Sequence, residues 1–189
     1  MRIVFMVEER SMKELLEAIL PKILPKGIES LIIPHSGKSD LQKSLPIKLR
    51  GWQSTSDKFI IVHDQDSNDC KKLKADLVSL CENSKNECLI RIVCVELESW
   101  YFGDLKAVSS AYGKDVVPYA LKRKYREPDK IMNAKDELRR LIPTYQPIDG
   151  AKKIAVHMDI SNNTSKSFKV FVNGVRRCIS EKLCLKQLI

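Results

Sequence analysis

Residues 59–70 read FIIVHDQDSNDC. Phe59, Ile60, Ile61 and Val62 form an unbroken apolar run, as in a strand buried on both faces. His63 follows, then Asp64 and Asp66 with only Gln65 between them. In an open parallel sheet, ligands bind at the carboxyl ends of the strands. Two acids at a strand end therefore raise the question of what else the chain brings to that edge.

Upstream, Arg2–Val7 reads as a first strand and is followed by Glu8 and Glu9. The segment "SMKELLEAILPKIL" is a helix with an apolar stripe of Leu15, Leu16, Ile19, Leu20, Ile23 and Leu24. Ser11 and Glu14 have capping-box spacing, and Pro21 should end or bend the helix early. "SLIIPHSG" is a short second strand, with a helix expected near Leu41–Leu49. "NDCKKLKADLVSLCEN" carries Cys70, Leu73, Leu77 and Leu80 along one side, with Asp69 as its cap. "CLIRIVCVELESW" reads as a fourth strand running towards Trp100.

Strands alternating with helices indicate an α/β fold with a mainly parallel sheet flanked by helices. Beyond Asp104 the chain is helical: "DLKAVSSAYG", "AKDELRRLI", "AKKIAVHMDI" and "SFKVFVNGVRRCI". The expected organisation is a core over residues 1–104 and a basic helical extension over 105–189 packed on it, in one compact domain. The loop "SNNTSKSF" should enter the last helix, capped by Ser165 or Ser167.

A chain of 189 residues can bury a core without staples. No stretch approaches the roughly 20 apolar residues of a membrane span. "MRIVFMVEERS" is too short an apolar run, and too soon closed by acids, to be expected as a signal peptide. The cysteines at 70, 81, 88, 94, 178 and 184 form no C-x-x-C pair, which suits reduced thiols in a cytoplasmic protein. The net charge of +9 is uneven: residues 1–100 hold 15 Lys/Arg and 15 Asp/Glu, whereas residues 101–189 hold 18 and 9. The surplus points to an acidic partner, with nucleic acid the first candidate.

Glu8, Asp64, Asp66 and Glu96 or Glu98 all follow strands that parallel connections would bring together. Converging carboxylates repel one another, and a hard divalent cation, Mg²⁺ or Mn²⁺, removes the conflict. The plain alternative is capping, since Asp66 is followed by Ser67, Asn68 and Asp69. "HSGKS" is not a P-loop, because no Gly stands five residues before Gly37. Lys38 there is a candidate phosphate contact, and His35 reads as a hydrogen-bonded loop residue. His63 is expected to face away from the D-x-D pair, with a supporting role behind it the alternative. Trp100, Tyr101 and Phe102 read as packing residues, and Asp104 as a helix start. "LKRKYR" offers Lys122, Arg123, Lys124 and Arg126 to a phosphate backbone, with Tyr125 placed to stack. Lys135, Arg139 and Arg140 continue the basic surface, and Lys166 faces either the site or water.

An acid after strand one and D-x-D after strand three resemble the Toprim fold of topoisomerases, primases and OLD-type nucleases. Six segments also resemble, in order, the bacterial domain-of-unknown-function family numbered 4276: "VEERSMKELL", "HSGKSDLQKSLPIKLRGW", "VHDQDSNDCKKLK", "VELESWYFGD", "REPDKIMNAKDEL" and "IAVHMDISNNTSKSFKVFVNGV". The resemblance implies that Glu8 serves acid/base chemistry or metal binding and that Asp64 and Asp66 hold Mg²⁺, with Glu98 an auxiliary. Glu9 stands where Toprim proteins usually place Gly. The implied activity is a metal-dependent nuclease in anti-phage defence, working with an ABC- or OLD-type ATPase. A non-catalytic metal- and nucleic-acid-binding subunit is the alternative. A phosphatase ranks behind both, since it would need Asp where Glu8 stands.

Overall fold

Along the two central strands every side chain of residues 3–7 and 59–63 is buried, because both faces of the sheet are covered. The computed structural model describes residues 1–180, so Cys184 lies outside the described residues. The strands are β1 (Arg2–Val7), β2 (Glu29–Pro34), β3 (Lys58–Asp64) and β4 (Cys88–Val93), in the order β2-β1-β3-β4 with every pairing parallel. The helices are α1 (Arg10–Ile19), α2 (Lys38–Gly51), α3 (Cys70–Cys81), α4 (Glu98–Phe102), α5 (Leu105–Tyr112), α6 (Ala134–Leu141), α7 (Pro147–Ala155) and α8 (Lys166–Ser180).

Alternation along the strands divides the apolar residues between two layers. Val4, Met6, Phe59 and Ile61 pack against Leu41, Leu45 and Leu49 of α2 and Leu73 and Leu77 of α3. Ile3, Phe5, Val7, Ile60 and Val62 face the larger core, which takes Leu15, Leu16 and Ile19 of α1 and Phe168, Phe171 and Val175 of α8. That core continues through Trp100, Val108, Leu138, Tyr145 and Ile154. Trp100 is an anchor within it. Its indole donates to Ser167 Oγ at 2.9 Å, and its ring lies 5.1 Å from both Phe168 and Phe171.

Local signals hold in several places. α1 stops at Ile19 and a 3₁₀ turn over Leu20–Lys22 contains Pro21. Asp69 caps α3 by accepting from Lys72 N at 2.8 Å, and Ser165 Oγ accepts from Phe168 N at 3.1 Å at the start of α8. Asp104 caps α5, accepting from Ala107 N at 3.1 Å. Cys81, Cys88 and Cys178 are buried, Cys70 and Cys94 half-buried, and all five are free thiols. Among the described residues no helix is long and apolar enough to cross a membrane.

Two expectations fail. The Ser11–Glu14 capping box does not form, because α1 starts at Arg10 with Glu9 as N-cap and Ser11 is already inside the first turn. Glu14 turns instead to Arg10 at 3.2 Å and Lys152 at 3.6 Å. The fourth strand stops at Val93 rather than running to Trp100. Val95 adopts a left-handed backbone, φ 61°, and its carbonyl takes Asp66 N at 2.8 Å instead of extending the ladder. The chain then enters α4, so Glu98 and Trp100 are helical.

Candidate active site

The register of β1 on β3 pairs Val7 with Val62. The next residue on each strand, Glu8 and His63, therefore stand side by side. Both project to the face of Met6 and Ile61, two positions earlier in each strand. Glu8 Oε2 lies 3.2 Å from His63 Nδ1 and accepts from Asp64 N at 3.3 Å. His63 is fully buried; its Nδ1 is 2.6 Å from Asp64 O, and its Nε2 is 3.2 Å from the Gln42 amide nitrogen. These contacts fit a ring that donates from Nδ1 and accepts at Nε2. His63 points opposite to Asp64, as expected, and on that face it meets Glu8. Alternation within one strand missed that Glu8, on the neighbouring strand, shares its face.

Asp64 projects to the other face, towards α4. Its Oδ2 accepts from Leu97 N at 3.2 Å. Burial above all, and then the charges of Glu8 and Glu98, push its carboxyl well above the usual range. Glu98 is buried in the first turn of α4 and accepts from Tyr145 OH at 2.7 Å. Burial raises its pKa too, against the opposing pull of Lys135 and the Tyr145 hydrogen bond. Burial likewise raises Glu8, with His63 opposing. Glu96 plays a different part: its Oε2 accepts from Lys135 N at 2.8 Å and so caps α6.

Asp66 leaves the strand through a left-handed backbone, φ 51°, a conformation Asp tolerates better than most residues. Its Oδ2 lies 3.3 Å from Lys38 Nζ. Lys38 opens α2 just after Gly37, whose φ of 103° favours glycine and whose N–H bonds Glu8 O at 3.0 Å. The loop is thus stitched to the end of β1, which brings Lys38 to the carboxyl edge. His35 is a held loop residue, with Nδ1 2.9 Å from Val7 O and Nε2 2.9 Å from Lys48 Nζ.

The sequence marks Lys135 only as surface charge. Burial works against its charge, yet Glu98, Glu9, Glu96 and Asp64 together raise its pKa, so it faces the acidic edge. Its position at the start of α6 is a product of tertiary packing, and nothing in "NAKDEL" announces it. An open cleft of ≈ 450 Å³ adjoins this edge, lined in part by Glu9, Arg10, Ser36, Gly37 and Gln146.

In the basic stretch, Lys122, Arg123, Lys124 and Arg126 are exposed. Tyr125 is not available to stack on a base. It is buried, lies parallel to Phe102 at 5.1 Å and 8°, and donates its hydroxyl to Glu137 at 3.0 Å. Lys124 also binds Glu137, at 2.5 Å, and Arg140 contacts the same carboxylate. Glu137 is on α6, two residues beyond Lys135, so stripe and acidic edge share one helix. Lys166 lines a separate small pocket with Arg126, Asp129 and Lys130.

Among the described residues, no three His, Cys, Asp or Glu side chains stand close enough to hold an ion as placed. The donor chemistry nonetheless suits a hard cation. Glu8, Asp64 and Asp66 are oxygen donors at one edge, and burial first, then the neighbouring carboxylates, disfavour the ionised forms of Glu8 and Asp64 without one. To close on an ion, Asp66 would exchange its Lys38 contact, while Glu8 would keep Oε2 beside His63 and offer its other oxygen.

A four-stranded, all-parallel sheet flanked by helices, with acids behind β1 and β3, is an α/β domain of Toprim type. The chain matches the family described as Domain of unknown function (DUF4276) over residues 7–176, and it belongs to that family. It is similar in structure to the C-terminal region of the Burkholderia pseudomallei OLD protein: TM-score 0.57, 17% identity, covering 94% of this chain and 98% of that one. The C-terminal region of the Xanthomonas campestris pv. campestris OLD protein also aligns, with TM-score 0.49, 18% identity, and 95% and 94% coverage. No curated protein matches the sequence significantly.

Proposed function

We propose that the protein is a divalent-metal-dependent nuclease hydrolysing phosphodiester bonds of DNA or RNA. The observation that carries this reading is the state of Asp64, a half-buried carboxylate near Glu8 and Glu98 with its ionisation opposed by desolvation first and then by both charges. Such a perturbed group at the carboxyl edge of a parallel sheet is a site signature. Glu8, Asp64 and Asp66 would hold Mg²⁺ or Mn²⁺. Bound there, the cation would stabilise charge on the phosphate and help activate the attacking water.

Glu8 accepts the proton of that water, with the buried His63 orienting its carboxylate. Glu98 supports Asp64 from behind. Lys38 and Lys135 supply positive charge on two sides of the edge, and Lys38 is free to meet a phosphate once Asp66 turns to the cation. Lys122, Arg123, Lys124 and Arg126 contact the backbone of the polymer, a sequence-independent role. The continuous core from β1 to α8 supports reading 1–104 and 105–189 as parts of one folded unit. Action beside an ABC- or OLD-type ATPase in cytoplasmic anti-phage defence is part of this proposal and rests on the family resemblance.

A second reading, a metal- and nucleic-acid-binding subunit without catalysis, draws on the Lys38–Asp66 ion pair, which occupies one of the expected ligands. Incubation with end-labelled single- and double-stranded DNA and with tRNA, in Mg²⁺, Mn²⁺ or EDTA, separates the two. Metal-dependent cleavage that Asp66→Asn abolishes supports the nuclease. Binding without cleavage in any metal moves the assignment to the subunit.

A further inference from the structure

Tyr101 is completely buried, and its hydroxyl has no hydrogen-bond partner. A buried donor left unpaired costs stability, and phenylalanine would fill the same space without that cost. The hydroxyl therefore calls for a reason, and its surroundings supply one. Tyr101 sits three residues after Glu98 on α4, on the same side of the helix. Its ring meets the edge of Tyr145 at 6.4 Å and 67°, and Tyr145 donates its own hydroxyl to Glu98 at 2.7 Å. After burial, the charges that oppose ionisation of the Tyr101 phenol most are those of Glu98 and Asp64.

Two donors in this cluster are already committed: Tyr145 to Glu98 Oε1, and Leu97 N to Asp64 Oδ2. Tyr101 is a third donor, one whose phenol feels the charge of both carboxylates, and it is unused. We propose that Tyr101 is a positioning residue for the Asp64–Glu98 pair: its hydroxyl bonds one of these carboxylates when a divalent cation is held at Glu8, Asp64 and Asp66. This rests on the metal-dependent reading above. A ligand carboxylate that turns one oxygen to an ion needs its other oxygen held, and a donor already in place does this without rearranging the core.

The proposal has a signature that a purely structural tyrosine would not give. Tyr101→Phe removes the unpaired hydroxyl, so in EDTA the melting temperature rises, by about 2–4 °C for each kilocalorie recovered in a chain of this size. The same change weakens Mn²⁺ binding, measured by calorimetry on the full chain, by about 10- to 100-fold. Tyr145→Phe, which strips Glu98 of a bond it already has, lowers both quantities. Unchanged Mn²⁺ affinity in Tyr101→Phe overturns the positioning role, and so does a fall in melting temperature alongside affinity, which is loss of packing. Wild-type protein that binds no Mn²⁺ overturns the metal-dependent reading itself and this proposal with it.

Discussion

His63 Nδ1 lies 3.2 Å from Glu8 Oε2, and the imidazole has no exposed surface. A buried imidazole packed against a carboxylate limits its orientation and favours its charged form. With His63→Phe, Glu8 loses that support, and Gln42 and the Asp64 carbonyl lose a partner. The expected stability loss is about 1–3 kcal/mol. Cleavage rate and Mn²⁺ affinity should both fall about 10- to 100-fold. A variant that melts lower but binds Mn²⁺ like wild type would make His63 a core residue only.

Stability should respond to pH in two separate windows. Glu8, Asp64 and Glu98 have raised pKa values, all primarily through burial. The folded protein thus holds protons that the unfolded chain releases near pH 4, and stability falls as pH rises from about 4 through the folded values. Asp57 and Glu137 lie below the usual range. Burial opposes the ionisation of Asp57, but its bonds to Arg2 and Trp52 prevail; the Lys124 bond leads for Glu137. Their contribution is complete above about pH 4 and is lost as pH falls through the lowered values. In EDTA, the melting temperature of Asp64→Asn should therefore gain on wild type between pH 4.5 and 7.5. Parallel curves would remove the buried charge from the account.

The strands and most helices were legible because each has one local signal: a continuous apolar run, an apolar stripe at helical spacing, or a cap such as Asp69. The end of β4 was not. "CLIRIVCVELESW" is apolar enough to continue, and only the left-handed Val95, bonded to Asp66 N from the loop after β3, stops it. In the site, Glu8, Asp64 and Asp66 were visible as acids after strands, and the sheet order does bring those strand ends together. His63 and Lys135 were hidden because their roles come from register and helix docking. Tyr125 misled for the same reason: a basic neighbourhood suggests an exposed ring, and Phe102 takes it instead.

Glu9 occupies a position where glycine is usual in Toprim proteins, yet its backbone is extended, φ −136° and ψ 163°, which any residue adopts. No strain is stored there. Glycine is also an acceptable N-cap, and Glu9 makes no side-chain cap bond to lose. Glu9→Gly should change stability by only a few tenths of a kcal/mol. The side chain does line the cleft beside Glu8 and adds negative charge near Lys135. Removing it should tighten oligonucleotide binding, read as a lower Kd. A weaker Kd with unchanged melting would mean that Glu9 contacts substrate or orders the cleft.

The basic stretch separates charge from packing within six residues. Lys122, Arg123 and Arg126 are exposed, and none is paired with a carboxylate among the described residues. Each of Lys122→Ala and Arg123→Ala should leave stability within about 0.5 kcal/mol. Each should also reduce the slope of log K against log salt by about 0.7–0.9 if its charge meets a phosphate. Tyr125→Ala should do the reverse. It empties the stack on Phe102 and frees Glu137 from its phenol, a loss of about 3 kcal/mol or more. The salt slope measured on the remaining folded protein should not change. Tyr125→Phe keeps the stack and loses only the bond to Glu137, so its stability should fall between the two. A slope unchanged from wild type in Arg123→Ala and Lys122→Ala alike would place the polymer elsewhere, along Lys38 and Lys135 at the carboxyl edge.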